Sequence, residues 1–275
     1  GSQIIYRRMR FDILKDRAVG NLWIINYDGS NNQKLTSSEG EEYGAKWSPS
    51  GDRLAFISST EEGPEIYIYW KNTGKIAKIS QLNGSPSNIS WSPNEKTIAF
   101  NMNVKSTPPI LIKMPKKPTG ANWAKPARIT DRLYHEADGR GYIEPGYKHI
   151  FIISSEGSGA NQLTSGDFNH NGPLSWSIDS SKIYFSSNRN MNWEYEFRNS
   201  EIYSVSTNNK AINTLTKRNG PDYKPVVSPN GEYIVFTSER DGDRNIYLMK
   251  ANGSDVQQLT INESNDYEPI FSPDG

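Results

Sequence analysis

Trp47-Ser48-Pro49-Ser50-Gly51, followed by Leu54-Ala55-Phe56, is the first copy of a phrase that recurs along this chain. The later copies are Trp91-Ser92-Pro93-Asn94 with Ile98-Ala99-Phe100, Trp176-Ser177-Ile178-Asp179 with Ile183-Tyr184-Phe185, Val227-Ser228-Pro229-Asn230-Gly231 with Ile234-Val235-Phe236, and Phe271-Ser272-Pro273-Asp274-Gly275. A repeat of this length indicates the architecture before any single residue is considered. We therefore expect function to reside where several repeats converge.

A second marker, an aliphatic residue followed by Thr or Ser, gives the period of the repeat. It occurs at Leu35-Thr36, Ile79-Ser80, Ile129-Thr130, Leu163-Thr164, Leu215-Thr216 and Leu259-Thr260. The hydroxyl residues are 44, 50, 34, 52 and 44 positions apart, and the mean of about 45 matches a four-stranded propeller blade. Apolar residues alternate every second position, as in Glu65-Ile66-Tyr67-Ile68-Tyr69-Trp70, which is typical of strands. The chain is predicted to be all β.

Each part of the phrase has an expected structural role. The Trp ends an inner strand and fills the space between blades, and Ser-Pro-x-Gly makes the turn into the second strand. Pro presets φ near −65° at an early turn position, and Gly supplies the position with positive φ.

These repeats predict one domain over residues 1–275, a six-bladed β-propeller of four-stranded antiparallel blades. The blades are placed at about 1–36 plus 267–275, 43–80, 87–130, 131–164, 172–216 and 223–260. The first blade is composite, because residues 4–13 look like a second strand that lacks its inner strand. Residues 268–275 would supply that strand and its turn, and pairing of the two chain ends would remove the exposed sheet edges.

The composition excludes several classes of partner. Lys plus Arg and Asp plus Glu number 31 each, so no field of one sign attracts nucleic acid or an anionic membrane. No apolar run is long enough to cross a bilayer. There is no cysteine, which removes disulfides and thiolate chemistry. We expect a soluble protein, and the sequence does not decide between the cytoplasm and the periplasm.

No catalytic motif is visible in the sequence. There is no G-x-S-x-G elbow and no H-E-x-x-H, and His135, His149 and His170 lie in different segments without metal spacing. The sequence therefore predicts no cofactor, no metal site and no catalysis by this chain alone.

One lengthened loop, residues 188–200, carries the candidate binding residues. Propeller loops at one face converge on the central tunnel, where a carboxylate can bind an ammonium group and Arg can bind a carboxylate through two hydrogen bonds. The candidates for substrate binding are Arg189, Glu194, Tyr195, Glu196 and Arg198. The alternative is a surface loop whose charges pair with one another or face solvent.

The Ser-Pro-Asp/Asn-Gly turns and Leu-Thr ends resemble those of the TolB-like propeller family. Two stretches are similar to the N-terminal propeller of the acylaminoacyl-peptidase and dipeptidyl-aminopeptidase-like members of the prolyl oligopeptidase family. One is residues 128–142 running into 149–152. The other runs from residues 162–170 through Trp193-Glu194-Tyr195-Glu196 to residues 199–203.

That resemblance implies a serine peptidase in which an α/β-hydrolase domain follows the propeller. The propeller would cap the active site and restrict access to short peptides, and the Ser, Asp and His of catalysis would lie outside this chain. Glutamates of a propeller insertion hold the substrate's amino terminus in dipeptidyl peptidases. Residues 193–196 resemble that insertion, although their two glutamates are not adjacent. The alternative function is a free-standing TolB-like propeller that serves as a scaffold for protein partners.

Overall fold

The computed structural model describes residues 2–14, 16–106, 115–124, 129–139, 141–218 and 220–275. These residues form β-strands and no helix, so the prediction of an all-β chain is confirmed. Because they contain no helix, none of them forms a helical membrane span. In chain order the strands are β1 (Gln3–Asp12), β2 (Arg17–Asn26), β3 (Gln33–Lys34), β4 (Glu42–Trp47), β5 (Arg53–Thr60), β6 (Gly63–Trp70), β7 (Lys75–Lys78), β8 (Pro86–Trp91), β9 (Thr97–Lys105), β10 (Glu136–Ala137), β11 (Gly141–Tyr142), β12 (Gly146–Ser154), β13 (Asn161–Gln162), β14 (His170–Trp176), β15 (Lys182–Ser187), β16 (Glu201–Ser206), β17 (Ile212–Thr214), β18 (Asp222–Val227), β19 (Tyr233–Asp241), β20 (Asp243–Lys250) and β21 (Gln257–Gln258).

The strands build five successive antiparallel sheets. Sheet I has the order β1-β2-β3, sheet II β4-β5-β6-β7, sheet III β8-β9-β12-β13, sheet IV β14-β15-β16-β17 and sheet V β18-β19-β20-β21. Strands β10 and β11 form a separate two-stranded hairpin. Consecutive sheets pack against each other, as expected for neighbouring propeller blades.

The apolar cores lie between neighbouring sheets. The last residue of the repeated phrase occupies the same position in each four-stranded sheet, and these residues are at most 1% exposed: Phe56, Phe100, Phe185 and Phe236. Burial of one such side chain contributes about 1.5–3 kcal/mol. The Phe of the phrase lies in the second strand and packs against the adjacent blade. This packing explains why the phrase recurs once in each four-stranded sheet.

The prediction of separate blades at 87–130 and 131–164 was wrong. Strand β9 pairs directly with β12, in a register that runs from Lys105 opposite Gly146 to Thr97 opposite Ser154. Residues 106–145 are therefore a long connection between the second and third strands of one sheet. The error came from Ile129-Thr130, which imitates the end of a blade in sequence.

The true blade ends carry a hydrogen bond that Thr130 does not make to any described residue. Thr164 Oγ1 accepts a bond of 2.9 Å from the backbone N–H of Ile150, 14 residues earlier in the third strand of sheet III. The equivalent hydroxyls of Thr36, Ser80, Thr216 and Thr260 accept from third strands at the same spacing of 14. Fourteen residues before Thr130 lies Lys116, which belongs to no strand.

The predicted Ser-Pro-x-Gly turn is confirmed in the structure. Gly51 N–H donates to Ser48 C=O at 2.9 Å, and Gly51 has φ of 78°. The equivalent Gly231 has φ of 75°. An L side chain is strained in this region, which explains why the repeat prefers Gly there.

The phrase Trp joins adjacent inner strands, in addition to filling space between sheets. Trp91 Nε1–H donates to the carbonyl oxygen of Lys46 at 2.9 Å, and Trp176 Nε1–H donates to that of Ser90 at 3.2 Å. Each indole therefore connects the inner strand of its own sheet to the inner strand of the preceding sheet.

The predicted pairing of the two chain ends is absent from the described residues. Strand β1 pairs only with β2, and no Cα atom of a strand in sheet I comes within 8 Å of a strand in sheet V. Glu268, near the end of the chain, forms an ion pair with Lys224 of β18 in sheet V. With two predicted blades merged into sheet III, the described residues form five sheets in sequence and do not confirm a closed ring of six.

Candidate functional site

The candidate loop 188–200 connects β15 to β16, the second and third strands of sheet IV. It is a series of turns, in which Glu196 N–H donates to Asn192 C=O and Asn199 N–H donates to Glu196 C=O. Asn188 Nδ2 also donates to the carbonyl oxygen of Glu196 at 2.7 Å. The connection 106–145 occupies the same position in sheet III, so both long loops emerge at the same end of adjacent sheets.

A cavity of about 420 Å³ lies between these two loops. Its charged lining residues are Asp131, Arg132, Asp167 and Glu194. Three carboxylates against one guanidinium leave an excess of two negative charges, which suits a cationic group such as an ammonium.

Aromatic rings form part of the cavity wall. The rings of Tyr147 and Trp193 meet edge to face, with centroids 6.2 Å apart. The guanidinium carbon of Arg132 lies 4.2 Å from the Tyr147 ring centroid, and its Nη1 donates to Gly146 C=O at 2.9 Å. Burial raises the pKa of the Tyr147 hydroxyl, with further elevation by Asp167, Glu194 and Asp131 against the opposing effect of Arg132. Tyr147 therefore remains a neutral hydroxyl that can donate or accept a hydrogen bond.

The structure separates the five residues predicted to bind substrate. Glu194 and Tyr195 line the cavity. Glu196 and Arg198 line a neighbouring groove, about 360 Å³ in volume, together with Tyr195 and the exposed Phe197. Arg189 points elsewhere, because its Nη1 lies 2.7 Å from Nε2 of His170 in the inner strand of sheet IV.

Sequence reasoning missed Asp131, Arg132, Tyr147 and Asp167 as site residues. Asp131 and Arg132 belong to the connection within sheet III, and Asp167 follows the last strand of that sheet. They meet loop 188–200 only because β9 pairs with β12 across the long connection. The similarity of residues 128–142 to the peptidase propellers was the one signal in the sequence that pointed to this segment, and Arg128 and Arg140 lie outside the described residues.

A larger cavity, of about 700 Å³, lies between sheets I and II. None of the predicted site residues lines it. Its buried carboxylate, Glu42, already accepts hydrogen bonds from Asn21 Nδ2 and Thr36 Oγ1. The carboxylate of Glu42 is therefore satisfied by the protein itself, whereas the buried Oγ of Ser38 in the same wall has no hydrogen-bond partner among the described residues.

The histidines are engaged in bonds that do not correspond to a catalytic triad. His149 Nδ1 contacts Thr164 Oγ1, His170 bonds Lys148 C=O and Arg189, and His135 Nδ1 bonds Leu133 C=O. None of them bonds a serine or a carboxylate among the described residues. The same part of the chain contains no group of three His, Cys, Asp or Glu side chains arranged to hold a metal ion.

A family model described as the TolB beta propeller domain matches residues 193–275. That match covers less than a third of the chain. With 26% identity, it is also similar to dipeptidyl-peptidase 5 of Porphyromonas gingivalis over 88% of this chain and 36% of that protein. An uncharacterized peptidase of Bacillus subtilis, YuxL, is 25% identical over 68% of this chain and 28% of its own length.

Solved structures give the same architecture. The acylaminoacyl peptidase of Pyrococcus horikoshii superposes with a TM-score of 0.69 at 15% identity, over 94% of this chain and 37% of that one. TolB of Acinetobacter baumannii superposes with a TM-score of 0.54 at 18% identity, over 90% and 50% of the two chains. At these identities the likeness shows the TolB-type propeller fold alone.

The resemblance inferred from the sequence, to TolB-like propellers and to peptidases of the prolyl oligopeptidase family, is therefore confirmed. The chain spans only about a third of the length of the dipeptidyl-peptidase 5 sequences that it matches.

Proposed function

We propose that this chain is the non-catalytic propeller of a serine peptidase that acts on short peptides. In this proposal its partner is an α/β-hydrolase domain of the same protein, which the propeller caps so that only short peptides gain access. The observation that carries the proposal is the similarity to dipeptidyl-peptidase 5 over 88% of this chain but 36% of that protein. We also propose that residues 1–275 act as one domain, because consecutive sheets pack continuously from sheet I to sheet V.

The acidic cavity is the proposed binding site for the free amino terminus of the peptide. Asp131, Asp167 and Glu194 offer carboxylates to an ammonium group, and Tyr147 and Trp193 provide a wall for the first side chain. An ammonium group donates three hydrogen bonds, and bonds to carboxylates are stronger than neutral ones. Because the cavity lies between loops, it suits a chain end better than a continuous polypeptide.

The test is calorimetric titration with dialanine amide, which has a free ammonium and no carboxylate. Glu194→Gln should weaken binding by about tenfold, the expected effect of losing one charge-assisted hydrogen bond. Glu196→Gln is the matched control, since it makes the same change in the same loop but outside the cavity. Equal affinities for the wild-type and Glu194→Gln proteins would contradict the assignment.

A second experiment tests the absence of catalysis. The purified chain should not hydrolyse dipeptidyl p-nitroanilides, because none of its histidines contacts a serine or carboxylate in the residues that the structure describes. Hydrolysis that persists in pure protein and resists serine-directed inhibitors would contradict the proposal.

The second candidate function is a scaffold for a protein partner. Its specific support is a set of exposed apolar side chains on loop 188–200: Met191, Tyr195 and Phe197 are 92%, 77% and 72% exposed. Exposed apolar residues that cluster on one loop are typical of interaction surfaces. A soluble partner that binds the wild-type chain but not a Tyr195→Ser, Phe197→Ser variant would favour this function.

A further inference from the structure

Sheets IV and V contain an arginine at the same place in the fold. Arg189 follows the buried Phe185 by four residues, and Arg240 follows the buried Phe236 by four. Each lies against the Tyr that stacks on that Phe: the guanidinium carbon is 5.8 Å from the Tyr203 ring centroid for Arg189, and 4.4 Å from the Tyr247 ring centroid for Arg240. The two arginines can therefore be compared directly.

In sheet V the charge of the arginine is neutralised by the protein. Asp222, the first residue of the inner strand, is completely buried and accepts bonds of 2.9 and 2.8 Å from Arg240 Nη2. Arg240 Nε also donates to Ser238 Oγ at 2.9 Å. A buried guanidinium paired in this way has no charge left for a ligand.

In sheet IV the position of Asp222 is occupied by His170. Asp222 lies opposite Ser238 in the first register pair of its sheet, and His170 lies opposite Ser187 in the first pair of sheet IV. His170 Nδ1–H donates to Lys148 C=O at 3.1 Å, and Nε2 accepts from Arg189 Nη1 at 2.7 Å. An imidazole that accepts a bond from a guanidinium is neutral, so it orients Arg189 without compensating its charge.

The other charged groups near Arg189 do not form an ion pair with it. No carboxylate oxygen of the described residues lies within 4 Å of its guanidinium, and its remaining N–H groups have no acceptor there. The neighbouring ring of His149 is 5.1 Å from that of His170. Burial and Arg189 lower the pKa of His149, whereas Asp167 raises it. Arg189 itself is only partly buried.

We propose that Arg189 is a binding site for the carboxylate of a small ligand, in the place where sheet V has the built-in carboxylate of Asp222. His170 fixes one edge of the guanidinium, and the ligand accepts hydrogen bonds from the donors that remain. The carboxylate can belong to a free acid or to the carboxyl terminus of a short peptide. The assignment does not depend on the proposed function, because it rests on the comparison of sheets IV and V.

The test uses the full chain and follows the Cε1–H NMR resonances of His149 and His170. N-acetyl-dialanine carries a carboxylate and no ammonium, and its carboxamide carries neither charge. We expect a saturable shift of both histidine resonances with the acid and none with the amide, at constant ionic strength. Arg189→Gln should weaken binding of the acid at least about tenfold, since it removes the charge-assisted bonds. Arg244→Gln, which makes the same change at an exposed arginine of sheet V outside both proposed sites, should leave it unchanged.

A second variant, His170→Asp, recreates the arrangement of sheet V and supplies Arg189 with a fixed carboxylate. It should stay folded and lose the response of His149 to N-acetyl-dialanine. Equal shifts with the acid and the amide, or wild-type affinity in Arg189→Gln and His170→Asp, would overturn the assignment. Titration with sodium acetate distinguishes a general carboxylate site, which responds, from one that requires the peptide, which does not. Dialanine amide tests the acidic cavity separately, so either site can fail without the other.

Discussion

The indole of Trp91 and the backbone carbonyl of Lys46 join two neighbouring blades through a hydrogen bond of 2.9 Å. Trp47 has the same place in the phrase, yet its Nε1–H has no acceptor in the part of the chain that the structure describes. The difference follows from sheet I, which has no inner strand to present a carbonyl to Trp47.

Trp91→Phe should destabilise the protein by about 0.5–1.5 kcal/mol, because it removes the hydrogen bond to the Lys46 carbonyl in a partly buried contact. Trp47→Phe is the matched control and should cost less. Urea unfolding followed by circular dichroism measures both changes. Equal losses in the two variants would show that the contribution of the Trp is packing alone.

Asp222→Asn should be more damaging, with a loss of about 3–5 kcal/mol, because it leaves the guanidinium of Arg240 buried without a counter-charge. The control is Glu144→Gln, which removes the exposed ion pair with Lys105 and should change stability by less than about 1 kcal/mol. Urea unfolding of both variants at neutral pH provides the measurement. A small effect of Asp222→Asn would indicate that water reaches Arg240.

Stability should decrease as the pH falls from about 6.5 to about 3. Burial lowers the pKa of His170 from 6.5 to about 3. Between these two pH values the imidazole is protonated in the unfolded chain but neutral in the folded chain. The contribution of one such group is up to about 1.4 kcal/mol per pH unit. His170→Gln should reduce this slope, whereas His135→Gln, at an exposed histidine, should not. Parallel stability curves for the wild-type and His170→Gln proteins would contradict the prediction.

Replacement of residues 107–144 by an Asn-Gly turn should leave sheet III intact. Lys105 already lies opposite Gly146, and a two-residue turn suits an antiparallel pair of strands. Far-ultraviolet circular dichroism and a single cooperative melting transition would confirm this. A separate blade in that region, as the repeat spacing first predicted, would instead lead to loss of cooperative unfolding.

The sequence predicted those features of the fold that depend on local chemistry. Gly51 adopts positive φ, and Phe56 and its equivalents pack between sheets, because turn geometry and alternating hydrophobicity act within a few residues. The prediction of a blade boundary at Ile129-Thr130 was wrong because the dipeptide alone does not show whether a third strand donates a hydrogen bond to its hydroxyl. Only the bond from a third strand 14 residues earlier distinguishes a true blade end.

The candidate site was only partly predictable for the same reason. Glu194 and Tyr195 lie in loop 188–200, which is recognised in the sequence because it is longer than the equivalent connection in other repeats. Asp131 and Asp167 are 36 positions apart in sequence. The repeat spacing places Asp131 at the start of the predicted blade 131–164 and Asp167 just after its end. Pairing of strand β9 with β12 brings these two residues to loop 188–200. The spacing of the repeats does not predict a pairing across so long a connection.

That pairing also has a kinetic consequence. In sheets II, IV and V the second and third strands are linked by shorter connections, whereas β9 and β12 meet only after the chain closes residues 106–145 into a loop. The entropic cost of closure grows with the logarithm of loop length, and contacts distant in sequence form slowly. We therefore expect the hairpins of the other sheets to assemble first. The acidic cavity, whose walls include residues on both sides of that closure, would be among the last parts of the molecule to take shape.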